Sequence, residues 1–226
     1  MTDIGLNGHN DLRHEICRVG RSLYERGYAH AAAGNISAKV PKEFGGGTLI
    51  TPTDACLGQL DPDNLAWVGN DGVQRSGAKA SKTILLHMSI YKAVPEAGCV
   101  LHTHSTNLVA ASLKGSWKPG IFLPPITPYF VMKVGRVPLI PYRRPGDPAV
   151  AKLVTTAIEE QGPIRGVMLE RLGPTVWHRS PREALAVLEE LEETAKLWVM
   201  SDYQAAMLST KSIEELQQVF GSDWLR

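Results

Sequence analysis

The hydrophobic pattern changes period repeatedly along this chain, and that alternation constrains the fold more than any other feature. In residues 11–26, Leu12, Ile16, Val19 and Leu23 recur at helical spacing, and Gly27 is placed to end the helix. Residues 35–40 and 48–51 read as two strands around a Gly45-Gly46-Gly47 turn. Ser81 opens a helix with Ile84, Met88 and Tyr91 on one face. Residues 99–103 form a short apolar strand running into His102-Thr103-His104. Asp147-Pro148 is a cap and first-turn proline for a helix that buries Val150, Val154 and Ile158. Residues 167–169 and 175–177 read as strands separated by Gly173-Pro174. Ser180-Pro181-Arg182-Glu183 is a capping box opening a long helix. Ala184, Leu188, Leu191, Ala195 and Trp198 face inward on that helix, with Glu189, Glu190, Glu192 and Glu193 mostly outside on a solvated face. Irregular alternation of strands and helices predicts a mixed α/β sandwich with helices covering a sheet.

Bulk properties narrow the function classes. A length of 226 residues favours one domain over 1–226. Lys plus Arg is 24 and Asp plus Glu is 23, so there is no basic excess and a nucleic-acid partner is not expected. No apolar run reaches the roughly 18 residues of a membrane span. Residues 1–10 are polar and show no secretory h-region. Cys17, Cys56 and Cys99 are scattered, which suits neither a disulfide framework nor a Cys-rich zinc site. A soluble, cytoplasmic protein is expected.

Four segments carry candidate chemistry. His102 and His104, two apart on a strand, would face the same way and share one divalent ion: zinc, manganese or iron. The alternative is two ordinary histidines at a strand end. His87 lies on an apolar helix face and reads as a core histidine or a support for another side chain. In Ala33-Gly34-Asn35-Ile36-Ser37, Gly34 admits a ligand close to the backbone and Asn35 offers an amide to an anion. Gly-Asn is also a common turn. Thr51-Pro52-Thr53-Asp54 adds hydroxyls in a rigid turn. Lys79-Ala80-Ser81-Lys82-Thr83 precedes a helix, where free N–H groups attract phosphate or carboxylate, and the alternative is a plain serine cap beside an exposed lysine.

The order of these segments, continued by Pro125-Ile126-Thr127-Pro128-Tyr129, Val137-Pro138-Leu139-Ile140-Pro141-Tyr142 and Arg144-Pro145-Gly146-Asp147, resembles the class II aldolase/adducin family. Within it the chain looks most like the 3-oxo-tetronate 4-phosphate decarboxylase branch. The resemblance implies an α/β/α sandwich with a mixed, mainly antiparallel sheet, a homotetramer with sites at subunit interfaces, and a metal held by three histidines. Tyr129 and the region near Trp224 are candidates for crossing to a neighbour. His102 and His104 match two of the metal ligands; the third, in an N-H-G-P stretch, falls on Leu172 of Arg171-Leu172-Gly173-Pro174. The family's catalytic glutamate falls on Thr83. Asn35, Thr53, Ser81 and Lys82, with Gly34, match positions that hold the substrate's anionic end, and Lys82 is the candidate catalytic cation.

Spacing offers one repair. Glu170 is two residues before Leu172 on the same predicted strand and would face the same side, making His102, His104 and Glu170 a two-histidine, one-carboxylate set. The alternative is a surface glutamate paired with Arg171 or Arg165. The leading function is a metal-dependent lyase, a decarboxylase or aldolase, acting on a small phosphorylated or carboxylated sugar acid. The second is a non-catalytic relative that keeps the fold and an anion pocket. A third keeps a His102/His104/Glu170 metal but changes its chemistry.

Overall fold

Residues 11–26 are helical, within a longer helix α1 (Ile4–Glu25) that buries Ile16, Val19 and Leu23. Gly27 ends it in the left-handed region, φ +75°, and donates to the Tyr24 carbonyl. This computed structural model describes residues 4–222 and 224, with side chains from residue 9 onward. Its internal contacts gather into two units, residues 1–103 with 177–185, and residues 104–176 with 186–226.

The first unit holds strands β1 (Asn35–Lys39), β2 (Thr48–Ile50), β3 (Ala66–Val68), β4 (Gln74–Ser76) and β5 (Cys99–His102). Their hydrogen-bonded order is β4-β3-β2-β1-β5, antiparallel throughout. The register puts Asn35 opposite His102 and Ser37 opposite Val100. Arg13 reaches from α1 to the carbonyls of Pro62 (2.6 Å) and Leu65 (3.0 Å), which ties the loop before β3 to the helix. Helix α2 (Ile84–Ala93) begins later than expected, because Thr83 is its cap and Ser81 lies in the preceding turn. Its buried residues are His87, Ile90 and Tyr91, whereas Met88 is only half-buried. The inner face is rotated from the expected one because His87 and Tyr91 find polar partners in the interior.

The second unit holds α3 (Thr106–Ser112), β6 (Leu139–Ile140), α4 (Ala149–Gln161) and β7 (Gly166–Leu169). Strand β8 (Gly173–His178) and helix α5 (Pro181–Met200) run through both units, and α6 (Thr210–Phe220) lies in the second. β6 pairs parallel with β7, and β7 pairs antiparallel with β8. A parallel pair beside five antiparallel ones gives the mixed, mainly antiparallel α/β arrangement that was expected. Val150, Val154 and Ile158 are buried on α4, and the Asp147 carboxylate accepts from the Ala149 N–H at 2.9 Å. The capping box of α5 forms: the Glu183 N–H donates to Ser180 Oγ at 3.2 Å, and that hydroxyl donates back to Glu183 at 3.3 Å.

Two expectations fail here. The glutamates of α5 do not all face water. Glu192 is only 2% exposed, and Glu190 is half-buried against the hydroxyls of Thr127 and Thr194. Position 192 lies four residues after Leu188 and three before Ala195, on the same stripe as the buried apolar residues. Residues 170–172 are not strand but the turn of the β7–β8 hairpin. Arg171 is left-handed at φ +65°, and the Leu172 N–H donates to the Leu169 carbonyl at 3.0 Å. Strand alternation therefore does not relate Glu170 to Leu172.

Candidate anion pocket and histidine pair

Three segments converge at the start of β1. The Ile36 N–H donates to Thr51 Oγ1 (3.2 Å), and the Thr51 N–H donates to the Ile36 carbonyl (2.9 Å). The Ser81 N–H donates to the Thr51 carbonyl (3.2 Å), and the Thr53 N–H donates to the Lys79 carbonyl (2.9 Å). The segments that carry Asn35, Thr53, Ser81 and Lys82, distant in sequence, are thus tied to one another by hydrogen bonds within the first unit. The Ser81 hydroxyl lies 3.0 Å from that of Thr83. Lys82 is exposed and makes no hydrogen bond or ion pair among the described residues. Gly34 has a structural requirement of its own. It sits at φ +98°, and a Cβ there would come 2.7 Å from the His102 carbonyl oxygen. The turn reading of Gly34 accounts for its conformation.

Behind Asn35 runs a buried polar chain. Asn35 Oδ1 lies 2.6 Å from His87 Nε2, His87 Nδ1 lies 2.7 Å from Ser37 Oγ, and Ser37 Oγ lies 2.8 Å from the Tyr91 hydroxyl. His87 has no solvent exposure. Burial, with the nearby His102 adding to it, pushes the His87 pKa down to about 3, so the ring is neutral at ordinary pH. The sequence carried a signal for this chain. Asn35 and Ser37 are two apart on a strand, and His87 and Tyr91 are four apart on a helix, so each pair shares a face.

The histidine pair is less regular than its spacing suggests. Only His102 is on β5; the strand ends there, opposite Asn35, and His104 follows in the connection to α3. Same-side projection along a strand therefore does not apply to His104. The segment after it is anchored instead. Glu192 accepts from the N–H of Asn107 (2.9 Å), from the Asn107 amide (2.9 Å) and from the N–H of Leu108 (3.0 Å). A carboxylate from α5 thus caps α3. Burial pushes the Glu192 pKa up against the pull of those three donors. Sequence reasoning missed this residue.

A model of the class II aldolase and adducin N-terminal domain matches residues 14–199, through both units. The chain belongs to the class II aldolase and adducin family. Similar class II aldolase relatives include the 3-oxo-tetronate 4-phosphate decarboxylases of Cupriavidus necator and Escherichia coli. The first is 53% identical over 97% of this chain and 100% of the relative, the second 41% over 91% and 95%. Among solved structures, YgbL of Escherichia coli superposes with a TM-score of 0.84 at 40% identity, over 92% of this chain and 99% of YgbL. An L-fuculose 1-phosphate aldolase superposes with a TM-score of 0.79 at 22% identity, over 93% and 96%, which shows a shared fold.

The metal that this family implies can be tested against the donors present. His102 and His104 supply two nitrogens. Leu172 supplies no donor. Glu170, expected as the replacement, accepts from the Tyr142 N–H at 2.9 Å and lies 3.7 Å from the Arg171 guanidinium. Its carboxylate serves the hairpin turn, which agrees with the surface pairing weighed against it. Among the described residues no three His, Cys, Asp or Glu side chains gather as a metal-holding group. The donor set does not fit a three-histidine ion. Trp224, a candidate for crossing to a neighbour, packs edge-on against Phe130 of its own chain at 5.5 Å, whereas Tyr129 is exposed. Among the described residues no helix is long and apolar enough to cross a membrane.

Proposed function

We propose that this chain is a carbon–carbon lyase, a carboxy-lyase acting on a small phosphorylated 3-oxo sugar acid of the 3-oxo-tetronate 4-phosphate type. The observation that carries this reading is the hydrogen bonding that ties together the segments carrying Asn35, Thr53, Ser81 and Lys82. It is supported by near-full-length similarity to decarboxylases of that name. The Asn35 amide, the Thr53 and Ser81 hydroxyls and the Gly34 backbone would bind the anionic end, and Lys82 would steer it and offset developing charge. In the reaction the bond to the carboxylate carbon breaks, carbon dioxide leaves, and the electron pair passes to the 3-oxo oxygen as an enediolate. A proton from water then closes the step. Loss of carbon dioxide needs no base to remove a proton first. Thr83, with no carboxylate, therefore impairs decarboxylation less than aldol cleavage, where a hydroxyl proton must move.

His102 and His104 are the residues that would hold a divalent ion, zinc by preference and manganese or iron as alternatives. With one donor fewer than the family's set, binding would be weak, and the steps above rest on this chain's own side chains. The functional form we propose is a single-domain, cytoplasmic homo-oligomer, a tetramer by family resemblance.

Thr83 and Leu172 favour a second reading, a non-catalytic relative that keeps the anion pocket. The deciding experiment incubates protein purified without a chelating tag with 3-oxo-tetronate 4-phosphate and follows carbon dioxide. Bound metal is measured by elemental analysis, and zinc and manganese are added in parallel. Carbon dioxide release is the expected result. No release under any of these conditions, by protein that still binds phosphate, establishes the second reading.

A further inference from the structure

We propose that His87 is a positioning residue for the anion pocket: its Nε2–H holds the Asn35 carbonyl oxygen inward, so that the Asn35 N–H bonds face a phosphate. This inference rests on the anion-pocket reading above and adds a residue to which that reading gives no role.

The direction of the buried chain is fixed at its far end. Among the described residues the Tyr91 hydroxyl has a single hydrogen-bond partner, so the tyrosine proton has one place to go. Ser37 Oγ, 2.8 Å away, is its acceptor. The Ser37 proton then passes to His87 Nδ1 at 2.7 Å, which leaves the ring proton on Nε2. That Nε2–H needs an acceptor at 2.6 Å, and Asn35 Oδ1 is one. In this direction each buried donor meets an acceptor. Reversing the Asn35 amide puts the ring proton on Nδ1, and one hydroxyl proton of the Ser37–Tyr91 pair is then left without an acceptor in a buried site, an arrangement folded proteins avoid.

The outward atom is then Asn35 Nδ2. It has no hydrogen-bond partner among the described residues. The described side-chain atoms that are both sealed and unpartnered are His9 Nε2, Trp177 Nε1 and Ser222 Oγ, so Asn35 Nδ2 reaches solvent although the residue is only 6% exposed. A fixed amide donor, open at one atom and locked at the other, suits an anion and repels a cation. The structure supplies such a donor one residue before Ile36, which Thr51 ties to the Ser81 backbone that precedes the exposed Lys82.

The test titrates the full chain with inorganic phosphate, following the Asn35 side-chain amide and the His87 ring nitrogens by ¹⁵N NMR. The wild-type ring is expected to carry its proton on Nε2, and the Asn35 amide signal to shift with phosphate. His87→Leu removes the donor and should weaken phosphate binding by about tenfold or more, the usual size for an oriented hydrogen bond to a charged group. With substrate, KM should rise more than kcat falls. His87→Gln, whose amide can occupy the Nε2 position, should restore binding to within about threefold, a rescue that a purely packing role would not produce. A wild-type ring protonated on Nδ1 overturns the inference and needs no variant to fold. Folded His87→Leu that binds phosphate as wild type does also overturns it. Wild-type protein that binds no phosphate removes the anion pocket, and this inference with it. Binding with the Nδ1 tautomer removes only the inference.

Discussion

In the proposed anion pocket two polar side chains are held by other side chains, Asn35 by His87, itself held by Ser37, and Ser81 by Thr83. In the β7–β8 turn the polar groups answer to backbone geometry instead. Glu170 serves the Tyr142 N–H, and Ser112 Oγ accepts from the Arg171 N–H at 3.0 Å. Leu172 projects from that turn with no donor at all. Removing Asn35, His87 or Ser37 leaves a buried partner unsatisfied, which destabilises the fold. Leu172, half-buried in that turn, has no polar side-chain group, so replacing it strands no partner.

The contrast can be broken most severely at Glu192, where the second unit does have a wired residue. Glu192→Ala strands two N–H groups at the start of α3, and urea unfolding should show a loss of about 3 kcal/mol. Glu192→Gln keeps an acceptor and should lose less. An alanine variant as stable as wild type would show that wiring does not govern this region.

Next in size is the pH dependence of the polar chain. The folded pKa of His87 is depressed to about 3 from 6.5, so protonation favours the unfolded chain. The stabilisation is fully present above 6.5 and is lost as pH falls towards 3. Between pH 7.5 and 5 that amounts to about 2 kcal/mol for one group. His87→Gln should flatten this part of the urea-denaturation profile. An unchanged profile would place the acid sensitivity elsewhere.

The smallest effect on folding sharpens the contrast. Lys82 is exposed and unpaired, so Lys82→Ala should leave the melting temperature within about a degree. Calorimetric titration should nevertheless find phosphate binding weakened about tenfold, with a shallower salt dependence. Equal affinity in both proteins would take Lys82 out of the pocket.

Much of this was legible in sequence. The helical periods of α1, α4 and α5, the capping box at Ser180 and the glycine turn after β1 all arise from local propensities, and local signals survive without knowledge of the partners. The pocket residues were legible only as a series of weak motifs in order. Their convergence depends on links such as Ser81 to Thr51, which no spacing encodes. Glu192 was misread because a run of four glutamates near Leu191 suggests solvent, and the donors that justify burying one of them lie 84 and 85 residues away. Glu170 was misplaced for a different reason. Two strands separated by a tight turn read, one letter at a time, like one longer strand.

The left-handed backbone at Arg171 reaches beyond catalysis. Arginine adopts that conformation less readily than asparagine or glycine, by about 1 kcal/mol. A mutant library screened only for heat tolerance would therefore accumulate Asn and Gly at this position. Such enrichment would stand one residue from Leu172 and look like recovery of an ancestral site, while reporting nothing more than a relaxed φ angle.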